Sequence, residues 1–70
     1  MDKIIIRDEF IKLGQALKLA GAVDSGVDAK FVITDGLVKV NDEVCMQRGK
    51  KLFEGDIIEF DNEKYVISKD

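Results

Sequence analysis

The sequence predicts an α+β fold in which two short helices, grouped to one side, pack on a small, mainly antiparallel sheet of about four or five strands. Three observations point there. Helical spacing of apolar residues is confined to residues 13–35; the hydrophobic period changes to two directly after Gly36; and the rest of the chain is a series of short apolar runs separated by polar turn residues. At 70 residues this reads as a single domain spanning 1–70, near the lower size at which a core is stable without disulfides, metals or a partner.

The elements follow in order. Lys3 to Ile6 is a β-branched run whose isoleucines are consecutive, as in a strand that is covered on both faces or joins a sheet edge. Leu13, Ala16, Leu17 and Ala20 then fall at i, i+3, i+4 and i+7, giving a helix of about two turns that ends at Gly21. Asp24 or Ser25 supplies the cap of the next helix, and Asp28 places a carboxylate at its positive end. Ala29, Val32 and Ile33 form its apolar stripe, and Gly36 stands where a left-handed C-cap is needed, since only glycine takes positive φ without a Cβ penalty. Val38 and Val40 alternate with Lys39 and Asn41 in the strand that follows. Asn41-Asp42 is a hairpin turn, Glu54-Gly55-Asp56 a second turn and Asp61-Asn62-Glu63 a third, before the closing run Tyr65, Val66 and Ile67.

Composition removes several classes of function. The chain is 46% hydrophobic and 36% charged with no proline, which describes a folding sequence and not a disordered one. No apolar run approaches the roughly 20 residues of a bilayer span, and MDKIII lacks the apolar region of a secretory signal, so a cytoplasmic protein with no membrane partner is expected. Cys45 is the single cysteine and there is no histidine, which leaves neither a disulfide nor the start of a zinc site or a Cys-His dyad. No enzyme activity, cofactor, metal or small-molecule substrate is expected, and the chain is expected to act as a monomer.

The net charge of −3 hides an uneven distribution. Residues 1–29 carry four cations and five anions, residues 30–53 five and three, and residues 54–70 two and six. Arg48, Lys50 and Lys51 stand within four residues with no acid among them. Such a cluster is either a solvated turn or a phosphate clamp, with arginine gripping bidentately and the lysines acting as point charges.

Three segments carry a resemblance: LGQALKLAG at Leu13 to Gly21, SGVDAKFVITDGLVKVN at Ser25 to Asn41, and RGKKLFEGDIIEF at Arg48 to Phe60. Together they resemble the S4-type RNA-binding domain, and within it the small free-standing bacterial S4-like proteins. The resemblance implies an S4-like (αL-type) two-helix element that binds structured RNA, ribosomal RNA among the candidates, through the outer faces of the helices and the following basic loop. Asp42 stands where the family pattern usually has glycine, and Gln47 where a second arginine is common. V-x-V-N followed by L-x-x-G-D-x-I also suits a ubiquitin-like or sulfur-carrier β-grasp protein, although the chain ends Ser68-Lys69-Asp70 and not in Gly-Gly. A small protein-interaction module is a third reading.

Lys18 and Lys30 each follow a core-facing residue of their helix, with stems on apolar surface and heads free. With the resemblance, they and Lys39 are expected to form one stripe beside Arg48, Lys50 and Lys51. Gln15, Ser25 and Asn41 can donate to phosphates or base edges, Ser25 also being a helix cap and Asn41 a turn former. Phe31 lies off the apolar stripe and is expected to pack in the core, stacking on an unpaired base being the alternative. Cys45, in phase with Glu43, is expected to face outward as an inert thiol. The acids Glu54, Asp56, Glu59, Asp61 and Glu63 lack the spacing of a calcium loop and are read as solvated turns that keep the far face repellent to RNA.

Overall fold

The computed structural model describes residues 1–70. The isoleucine run forms β1 (Asp2–Ile6), with Ile4 and Ile6 buried and Ile5 about half exposed. A two-residue strand, β2 (Ile11–Lys12), leads directly into α1 (Leu13–Leu19), and α2 (Gly26–Thr34) follows. After the helices come β3 (Val38–Val40), β4 (Glu43–Val44), β5 (Lys51–Leu52), β6 (Ile57–Phe60) and β7 (Glu63–Lys69). The main sheet has the order β1-β7-β6-β3-β4, antiparallel throughout except that edge strand β1 runs parallel to β7. The mainly antiparallel α+β architecture read from the sequence is the one observed.

Inward residues of the sheet, Ile4, Val38, Val40, Ile58, Tyr65 and Ile67, share one core with Leu13, Ala16 and Leu17 of α1 and Ile33 of α2. No charged or polar side chain is buried in it. Both helices end in the same hydrogen-bonded pattern. Gly21 and Gly36 each have φ +75°, and each lets two N–H groups close back on the helix: Ala22 donates to the Leu17 carbonyl and Gly21 to Lys18, as Leu37 donates to Val32 and Gly36 to Ile33. Ser25 is the N-cap of α2, its Oγ accepting from the Asp28 N–H at 3.2 Å.

Asn41 and Asp42 have φ of 51° and 72°, and Asp61 and Asn62 of 53° and 64°, the two successive positive values of a tight hairpin that follows the strand twist. Asp42 thus adopts the conformation for which glycine is the usual choice.

Three features differ from the sequence reading. A second sheet, β2 paired with β5 (Ile11 opposite Leu52, Lys12 opposite Lys51), has no periodic signal because each strand is only two residues long. Cys45 packs against the core and Val44 is exposed, the reverse of the expected phase. Residues opposite one another in an antiparallel ladder share a face: Val44 stands opposite outward Lys39, while Cys45, donating its N–H to the Val38 carbonyl, follows inward Val38. Glu43 is solvated because β4 is a two-residue edge strand, so it does not mark the outer face. Phe31 is 59% exposed and not in the core, because α2 packs on one side only, through Ala29 and Ile33.

Candidate nucleic-acid interface

The first turn of α1 has no side-chain cap. Its free N–H groups are taken instead by the loop before β5: Leu13 donates to the Lys50 carbonyl at 2.9 Å and Gly14 to the Arg48 carbonyl at 3.1 Å. Gly14 makes this approach possible, since a Cβ there would sit 2.8 Å from Arg48 Cγ. The β2–β5 pairing clasps the same junction from the other side. In this way residues 48–51, distant in sequence, are fixed beside the helices.

Between the loop and the helices lies a groove. Lys12, Gln15, Lys18 and Arg48 supply its polar wall. Gly14, Gly26, Ala29 and Gly49 supply a floor of small residues that leaves backbone within reach. No acid lines it. None of the three cations is in an ion pair, the single salt bridge of the molecule being the exposed Arg7–Asp70 contact at 3.2 Å. Lys12 stands opposite Lys51 across β2 and β5, a like-charge juxtaposition that unpaired strands would avoid. Part of that repulsion is relieved where Lys51 Nζ lies over the Phe10 ring, 4.8 Å from its centroid.

Of the residues singled out in the sequence, Gln15, Lys18 and Arg48 therefore converge. Lys50 contributes its carbonyl to the clasp while its side chain lines a separate depression with Met46 and Gln47. Lys51 belongs to the clasp as well. Lys30 is exposed on α2 beside the groove but does not line it, and the Ser25 hydroxyl is used in capping. Asn41 is bound inward: its Nδ2 donates to Asp56 Oδ1 at 3.1 Å and its Oδ1 accepts from the Ile57 N–H at 2.9 Å, locking the β3–β4 turn to the start of β6. Lys39 alternates to the outer sheet face, opposite Glu59, whereas its neighbours Val38 and Val40 face the helices. The single stripe expected from Lys18 through Lys30 to Lys39 is thus interrupted by the thickness of the sheet. Lys12, which the sequence reading passed over, is brought in by the strand pairing; its only local signal was its position just before the helix.

Away from the groove, three acids gather around Tyr65. Burial, and then the carboxylates of Glu63, Asp2 and Asp61, push the Tyr65 hydroxyl above the ordinary tyrosine value.

Fold and site define a class: a two-helix element on an antiparallel sheet, with a cation-lined groove where the helices meet a basic loop. Residues 4–68 match the S4 domain, and the chain belongs to that family. It is 47% identical over 58 residues to the probable ribosome maturation protein RlbA of Bacillus subtilis (strain 168), an alignment covering 83% of this chain and 82% of that protein. Among solved structures it is similar to the 30S ribosomal protein S4e of Thermoplasma acidophilum, with a TM-score of 0.65 and 25% identity over 86% of this chain. That match covers 32% of the S4e chain, so this protein corresponds to about a third of its length. Family membership decides against the β-grasp alternative.

Proposed function

We propose that this protein is a non-catalytic RNA-binding module that acts on structured RNA, ribosomal RNA first among the candidates, by gripping phosphates along the groove between α1, the start of α2 and the basic loop. The observation that carries the reading is the convergence of Lys12, Lys18 and Arg48, from separate segments, on a groove with no acid and no ion pair. Keeping unneutralised cations together costs repulsion, and an anionic ligand removes that cost. The names of the relatives, a ribosome maturation protein and a ribosomal protein, support ribosomal RNA as the ligand and the cytoplasm as the place of action.

Arginine suits bidentate contact with phosphate oxygens, and the lysines add charge that follows the backbone without reading sequence. Lys30 and Lys50 flank the groove and extend the field. The test is a salt series of binding titrations on one ribosomal RNA fragment with the parent and with a Lys12→Glu, Lys18→Glu, Arg48→Glu variant. The variant is expected to lose roughly a thousandfold or more in affinity, since three charge-assisted contacts contribute about 1.5–3 kcal/mol each and about 1.4 kcal/mol is tenfold. It should also lose salt slope, by about 0.7–0.9 per phosphate contact removed. Parental affinity and slope in the variant would refute the groove as the interface.

A further inference from the structure

Gln15 and Lys18 stand on a ridge, for they line a second groove on the other side of α1. This one has a volume of about 530 Å³, within the roughly 300–1,000 Å³ of clefts that take small ligands. Its character differs from the first. Ile5, Phe10, Ile11 and Leu19 give it an apolar lining, and Leu19 and Ile5, at 59% and 49% exposure, stay uncovered at its walls. The Phe10 ring is held in place by two contacts, the Lys51 ammonium over its face and the Phe53 ring at 6.1 Å. Arg7 and Asp8 stand at the rim.

We propose that this second groove receives an unpaired nucleobase of the same RNA whose phosphates follow the first groove; the inference rests on the RNA-binding reading above. Continuity carries it, because a strand gripped at Lys18 lies at the edge of both grooves. A groove whose lining is about half apolar, with one fixed aromatic ring, suits the flat face of a base, which stacks without regard to sequence. Four of the nine lining residues are polar, and two of them suit a base edge: the Gln15 amide both donates and accepts, and the Asp8 carboxylate accepts from a base N–H while repelling phosphate. Arg7 is tied to Asp70 only by a pair in which both side chains are mostly exposed, so its guanidinium is free to exchange toward the flanking phosphate.

The experiment compares two RNAs of equal length and charge, one a fully paired hairpin stem and the other carrying a single bulged nucleotide, with 2-aminopurine at the bulge for a parallel fluorescence reading. The parent is expected to bind the bulged RNA about tenfold more tightly and to quench the 2-aminopurine, in line with the stacking of one base. Phe10→Leu, which keeps apolar volume but removes the ring face, and Leu19→Ser, which leaves the Phe10 contacts intact, should each bring that ratio close to one, and Leu19→Ser should do so while leaving affinity for the paired stem at the parent value. If the parent binds both RNAs equally and with steep salt dependence, the second groove takes no base and the phosphate groove alone stands. If the parent prefers the bulge but both variants keep the preference and the quenching, the base is held elsewhere and the groove is left to a protein segment. If the parent binds neither RNA, this inference falls together with the proposed function.

Discussion

The same residue type stands opposite very different partners on the two sides of this molecule. On the outer face of the main sheet Lys39 lies across from Glu59, and Glu59 across from Lys64, so that each cation meets an acid in the neighbouring strand. At the β2–β5 clasp Lys12 lies across from Lys51, and the groove beside it holds Lys18 and Arg48 with no acid at all. Cross-strand opposite charges contribute about 0.2–1 kcal/mol and like charges cost a similar amount. The sheet therefore sets its lysines opposite acids, though without closing a salt bridge, whereas the clasp sets its lysines against one another. Cations kept in place against their own repulsion are the ones available to a polyanion, which is why register separates the two groups of lysines better than their number does.

The largest effect that sharpens this contrast is expected at Gly14. Gly14→Val drives a branched side chain into Arg48 and should destabilise the protein by roughly 1–3 kcal/mol. RNA affinity should fall as the loop is pushed from the helix. Gly49→Ala lies in the same groove but meets nothing within 4 Å, and its melting temperature should stay at the parent value. Equal melting curves for both variants would mean that the loop does not rest on α1.

Opposite signs are expected next, from a matched pair. Lys12→Glu converts the like-charge pair with Lys51 into an attractive one and should raise stability by about 0.2–1 kcal/mol while weakening RNA binding. Lys39→Glu places two acids across β3 and β6 and should lower stability by a comparable amount while leaving RNA binding unchanged. Denaturant melts and titrations on the two variants check this. Shifts of the same sign in both would break the comparison.

The smallest effect belongs to Tyr65 and the acids around it. The Tyr65 hydroxyl titrates higher in the folded protein than its ordinary value near 10, so the stability linked to it is present below that pH and lost as pH rises through the folded value. Tyr65→Phe should flatten that alkaline loss in a pH series of melts. A parental decline in the variant would mean that the Tyr65 hydroxyl is not its source.

The sequence made legible what is decided locally. Positive φ at Gly21 and Gly36, the Ser25 cap and the alternation of Val38 with Lys39 each depend on a few neighbouring residues, and each was readable from them. What depends on distant pairing was not. Nothing around Lys12 announces that Lys51 will lie opposite it, and Gly14 reads as a weak point in a helix until Arg48 is seen over it. Asn41 was readable as a turn former but not as a partner of Asp56 and Ile57, which lie fifteen residues and more away. The spacing of Phe31 leaves open whether it packs against the first helix or stands exposed, because only the placement of α1 decides which side of α2 is covered.

The carbonyls that receive the Leu13 and Gly14 amides give α1 an unusual dependence on chain order. A seven-residue helix without a side-chain cap is marginal alone, and its first turn gains backbone acceptors only when Arg48 and Lys50 arrive. During synthesis, α1 therefore waits for more than thirty further residues to leave the ribosome before its start is satisfied. In the finished protein, every opening of the basic loop also uncaps the helix, so hydrogen exchange at the Leu13 and Gly14 amides records how often the cationic loop lets go.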